Sequence, residues 1–169
     1  ANTSFLLSGI NDTTKIARPY YWDNGMYNDA GLYGYPDYPD GQLRTTSTDL
    51  ARFMTMYMQN GIYEGVRVLD SATVEYILQQ QTPVDPSQGI IFYNATASNG
   101  DLLWGHNGGE IGVNTAMYFS KAKKTGVIVM TNGDGTGSMN ADILANTLYQ
   151  YGAGVTPGVN DTVPSCGQD

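Results

Sequence analysis

From Gly89 onward the apolar residues stop recurring every third or fourth position and recur every second one, and no other feature restricts the fold of this chain as much. The runs GIIFYNA, DLLWGHN, VNTAMYFS and TGVIVMTN read as strands, because period-two patterning sends alternate side chains to opposite faces of a pleat. Ser98-Asn99-Gly100 and KAKK separate neighbouring runs, and connections this short force each strand antiparallel to the last. An antiparallel meander of three or four strands is expected over 89–132. Within it Val127, Ile128, Val129 and Met130 are apolar without a break, which predicts a central strand covered on both faces rather than an edge strand.

Upstream, over 46–82, the period is helical. Thr46 as cap, Asp49 three residues later as the second half of a capping box, and Leu50, Phe53, Met54, Tyr57 and Met58 on one stripe predict a helix that stops at Gly61. A second helix starts after an Asp70 or Ser71 cap, buries Val74, Ile77 and Leu78, and ends before Pro83. A third is expected over 140–152, with Ile143, Leu144, Leu148 and Tyr149 as its buried stripe. Residues 1–43 are rich in Tyr, Asn, Asp, Gly and Pro and read as irregular, while 156–169 read as a flexible tail. The fold class is therefore α+β, an antiparallel sheet of three to four strands packed with helices, within one domain over 1–155.

Composition narrows the function. A net charge of −8 and a pI near 4.3, with basic residues scattered apart from Lys121, Lys123 and Lys124, leave no stripe to neutralise phosphates and exclude nucleic acid as partner. No run approaches the roughly 18 apolar residues of a transmembrane helix. One Cys, Cys166, and one His, His106, exclude an intrachain disulfide and a structural zinc site, and no cofactor is expected. Few Lys and many Asn, Gly, Tyr and Thr suit a periplasmic or secreted bacterial protein whose export signal lies upstream.

Two segments carry a family resemblance. GQLRTTSTDLARFMTMYMQNG resembles a helix start of class C beta-lactamase-like, penicillin-binding serine hydrolases, whose relatives include DD-carboxypeptidases and family VIII esterases. GDLLWGHNGGEIGVNTAMYFSKAKKTGVIVMTNGDG resembles that family's His-x-Gly strand, Gly-rich turn and following hairpin. With NTSFLLSGINDTTKIARPYYW the likeness runs from residue 2 to about 151 and maps onto the C-terminal half of the beta-lactamase/DD-peptidase fold.

The resemblance implies acyl transfer to a Ser, on a peptide, β-lactam or ester substrate. It assigns His106 the place of a donor or cation near the nucleophile and Asn107 an amide facing substrate. Gly108 keeps bulk off the cleft, and the backbone N–H of Gly109 becomes one of two oxyanion donors, each worth roughly 3 kcal/mol of barrier. The family's Ser-x-x-Lys and Tyr-x-Asn motifs have no credible counterpart, so the isolated chain is expected to be inactive. It is also expected to associate with an N-terminal half, or with itself, through an exposed strand edge. The alternatives are a non-catalytic peptide or cell-wall binding module on the same fold, and an unrelated α+β interaction domain in which HNGG is only a turn.

Three stretches imitate missing motifs. Ser120-Lys121-Ala122-Lys123 spells Ser-x-x-Lys and Lys124-Thr125-Gly126 spells Lys-Thr-Gly, but they adjoin each other between two strand patterns, where no helix sets Lys beside Ser. Ser138-Met139-Asn140 spells Ser-x-Asn at a position better suited to capping the last helix.

Overall fold

The computed structural model describes residues 3–134 and 140–154. Its centre is a four-stranded antiparallel sheet of β5 (Tyr93–Thr96), β6 (Leu102–Glu110), β7 (Val113–Ser120) and β8 (Thr125–Thr131), paired in that order. The register, with His106 opposite Met117, Asn107 opposite Ala116 and Met117 opposite Ile128, sorts the side chains onto two faces.

One face carries Trp104, Met117, Phe119 and Ile128, packed against α1 (Ser47–Met58) and α2 (Ser71–Ile77). Phe119 and Val74 are fully buried there, and the rings of Phe92 and Phe119 meet edge to face at 5.5 Å. The other face carries Leu103, Ala116, Tyr118, Val127 and Val129 against α3 (Ala141–Gly154).

The Thr46 hydroxyl caps α1 by accepting from Asp49 N at 3.1 Å. Asp49 leaves the capping box half made, turning its carboxylate to Thr3 Oγ1 at 2.8 Å and to Arg52 at 2.8 Å. Helix α2 ends at Ile77, and Asp70 makes no side-chain capping bond.

Several expectations need correction. Between α1 and α2 lies a small hairpin, β3 (Ile62–Tyr63) with β4 (Val66–Arg67), turning on Glu64 and Gly65 at positive φ. Residues 1–43 hold another, β1 (Tyr20–Asp23) with β2 (Met26–Asp29), turning on Asn24 and Gly25 at φ 49° and 84°.

Strand β8 is not central: it ends the sheet, with no partner on its outer edge among the described residues. Its apolar run reflects cover on both faces, by α1 and by α3, and that pattern says nothing about the in-plane edge. Helix α3 is rotated from the expected stripe. Ala141, Ala145 and Tyr149 face the sheet and Leu144 packs beside them, while Ile143 and Leu148 are about half exposed. The small alanines let helix and sheet approach closely. The expected tail, 156–169, lies outside the described residues.

Candidate active site

His106, Asn107, Gly108 and Gly109 all lie on β6, in its last five residues. Strand β5 pairs only as far as Tyr93 opposite Gly105, so from His106 to Glu110 the strand has β7 on one side and an open edge on the other among the described residues. A strand rim of this kind presents backbone groups to whatever docks beside it.

The pleat divides the tetrapeptide. His106 and Gly108 share the face of Met117 and Thr115, whereas Asn107 and Gly109 share the face of Ala116 and Asn114. The His106 ring is exposed, its Nδ1 lies 2.5 Å from the Asn107 carbonyl oxygen, and its plane meets the Tyr93 ring at 5.2 Å and 64°. Asn107 gives its amide to Asp142 Oδ2 on the first turn of α3, at 2.8 Å. Asp142 Oδ1 accepts from Tyr118 Oη at 2.9 Å, and Tyr118 Oη in turn contacts Tyr93 Oη. Burial first, and then its bonds to Tyr93 and Asp142, push the Tyr118 hydroxyl well above the usual tyrosine range. It therefore remains a donor throughout the neutral pH range.

Against the Gly108 face lies a cleft of about 290 Å³ between the end of β6 and the segment 16–44. Its walls include Gly108, Gly109 and Glu110 on one side and Tyr33, Tyr35 and Arg44 on the other. Segment 16–44 is tied down at several points. Tyr20 N donates to Asn132 O at 3.0 Å and Trp22 N to Asp134, and Arg18 pairs with Asp29 at 2.6 Å.

Tyr33 Oη donates to Ile111 O at 2.7 Å, fixing the aromatic wall to the β6–β7 turn. Gly112 in that turn has φ +71°, and a Cβ there would stand 2.5 Å from Tyr20 N, so only glycine lets the two backbones meet. Arg44 is spent on structure, donating to the carbonyls of Phe5, Gln42 and Tyr33 at 3.1, 3.2 and 2.7 Å. Burial, and secondarily the Glu110 carboxylate, raise the hydroxyls of both Tyr33 and Tyr35 above the usual range.

The imitation motifs lie elsewhere. Ser120 closes β7 at 2% exposure and Lys121–Lys124 form the turn to β8, with Lys123 Nζ directed to Asp101 at 3.7 Å. Asn140 caps α3 by accepting from Ile143 N at 2.9 Å, and its neighbours Ser138 and Met139 lie outside the described residues. Among the described residues no three His, Cys, Asp or Glu side chains converge as a metal site, and no helix is long and apolar enough to cross a membrane.

The stretch HNGG, expected at a strand end, lies on the open-edged part of β6. The cleft's second wall comes from the Tyr-rich segment 1–43, which the sequence marks only as irregular. Tyr33 and Tyr35 line the cleft, while Trp22 and Tyr27 pack edge to face at 4.9 Å across the β1–β2 hairpin.

Among solved structures the chain is similar to the octameric penicillin-binding protein homologue from Pyrococcus abyssi, at 19% identity and TM-score 0.69 over 87% of this chain. It is also similar to a D-stereospecific amidohydrolase from Streptomyces sp., at 20% identity and TM-score 0.52 over 70% of this chain. At these identities the likeness is one of fold, and this chain spans 33% and 35% of those two chains. No curated protein matches. The Beta-lactamase family profile matches residues 2–150, most of the sequence, and the chain belongs to that family.

Proposed function

We propose that this chain is the C-terminal part of a serine hydrolase working by acyl transfer, in which a Ser from outside the chain attacks an amide, β-lactam or ester carbonyl held along β6. The observation that carries the reading is the open edge His106–Glu110 beside a cleft of about 290 Å³. A carbonyl lying on that edge comes within reach of the Gly109 N–H as oxyanion donor and of the His106 imidazole as donor or proton carrier. Gly108 adds no side chain to obstruct it. Asn107 gives its side-chain NH2 to Asp142, which steadies the rim, and its side-chain Oδ1 is left to meet substrate.

The partner that fits is an N-terminal half of the same hydrolase. The outer edge of β8, unpaired among the described residues, and the exposed Ile143, Leu148 and Tyr151 of α3 support a further strand and helix packing there. Self-association through the same edge is the competing outcome. A second reading, binding of peptide or cell-wall material without turnover, draws support from the cleft that Gly108, Glu110, Tyr33 and Tyr35 of this chain line together.

Labelled penicillin or fluorophosphonate, applied to the longest natural form and to the 169-residue chain, tests the proposal. Labelling of the longest form alone is expected. A label on the 169-residue chain contradicts it, and no label on either form favours the binding module.

A further inference from the structure

The cleft beside the rim has an electrostatic character of its own. Glu110 is exposed, lines the cleft, and shares the pleat face of Gly108, so its carboxylate lies on the same side as the Gly108 Cα. Among the described residues it makes no ion pair. Arg44 also lines the cleft and keeps its positive charge, but its Nη1 and Nη2 donate to the backbone carbonyls of Phe5, Gln42 and Tyr33, which hold the guanidinium to the loop rather than in an ion pair with Glu110.

Opposite stand the Tyr33 and Tyr35 rings. Tyr33 is anchored through its hydroxyl to Ile111 O at 2.7 Å, so its ring is pre-placed, and Gln42 Nε2 donates to the Tyr35 backbone carbonyl at 2.8 Å, which fixes the chain at Tyr35. The raised hydroxyls of both tyrosines keep them neutral beside Glu110. Two neutral aromatic rings and one unpaired carboxylate around a small cleft complement a cation, through charge on one side and ring faces on the other. The chain's net charge of −8 reinforces that sign.

We infer that this cleft is a subsite for an ammonium group, and that the acyl substrates of the site carry a free amine held by Glu110 between Tyr33 and Tyr35. The inference deepens the hydrolase reading and rests on it for the word substrate, but the subsite itself is a property of this chain. It implies that amino-acid amides or esters, or peptides with a free amine near the scissile carbonyl, are preferred over the same compounds acylated on nitrogen.

The test is titration of the 15N-labelled 169-residue chain with phenethylamine and, separately, with 3-phenylpropanoate, followed at the amides of Gly108, Gly109 and Glu110. Phenethylamine is expected to shift these amides and 3-phenylpropanoate to leave them. Glu110→Gln, isosteric at an exposed position, should weaken the amine about fivefold, the upper range for a solvent-accessible ion pair. Glu110→Lys should reverse the preference between the two probes. Equal binding of amine and carboxylate, or an amine affinity unchanged in Glu110→Gln, overturns the subsite. Because the readout is binding without turnover, an absent penicillin label on the longest form sinks the hydrolase reading alone, and loss of amine selectivity sinks the subsite alone.

Discussion

Asn107 donates its side-chain amide to Asp142 Oδ2 at 2.8 Å, joining the rim of the sheet to the first turn of α3. The carboxylate sits where a helix N-terminus favours negative charge, and its second oxygen holds Tyr118. Replacing Asp142 by Ala strips partners from the Asn107 amide and from the hydroxyl of the buried Tyr118 at once. A loss of about 1–3 kcal/mol is expected, read as a lowered urea midpoint with unchanged slope.

Tyr118 gives a pH dependence of definite sign. Its folded value is raised above the ordinary 10.0, by burial first, so the folded state keeps a proton that the unfolded state releases. The contribution is complete below pH 10 and is lost as the pH climbs above it. Stability measured at intervals from pH 8 to 11.5 should fall in its upper part, and Tyr118→Phe should flatten that fall.

Gly112→Ala should cost more than an ordinary left-handed glycine substitution, because its Cβ would collide with backbone at Tyr20 N and Pro19 C, 2.5 and 2.7 Å away. Gly25→Ala meets only the φ penalty of about 1 kcal/mol, since nothing lies within 4 Å. Limited proteolysis should release segment 16–44 faster from Gly112→Ala than from Gly25→Ala. Equal rates would remove the clamp.

The orientation of α3 is open to a paired substitution. Ala145→Leu forces a branched side chain between helix and sheet and should destabilise by about 1–3 kcal/mol, whereas Leu148→Ser, half exposed, should lie within about 0.5 kcal/mol of neutral in the isolated chain. Thermal melts of the two variants decide which face is buried.

If a longer form has the proposed hydrolase activity, His106→Ala in it should lower kcat/KM by roughly 10²–10⁴, measured from initial rates on a chromogenic ester. An unchanged kcat/KM would leave His106 as a rim residue only.

The α+β class, α1 and its Thr46 cap, and the meander were legible because each rests on periodicity that survives tertiary context. What escaped was set by geometry that periodicity does not carry. Asn24-Gly25 is a strong hairpin signal, but Trp22 and Tyr27 are exposed on both hairpin strands, so no alternation marked them. Helix α3 buries Ala141 and Ala145, which a hydrophobic stripe overlooks in favour of Ile143 and Leu148. The motif pointed to a strand end at His106 to Gly109, where the structure has an open strand edge, yet the opposite facing of His106 and Asn107 follows only from their place in a pleat. Glu110 went unremarked because one carboxylate after two glycines has no pattern.

Among the described residues strand β8 ends the sheet with seven residues, Thr125–Thr131, and no charge among them. Such a bare row of amides and carbonyls is a template on which identical segments can stack in register. Concentrated preparations of the chain by itself thus carry a route to cross-β fibrils that a segment laid over β8 would close.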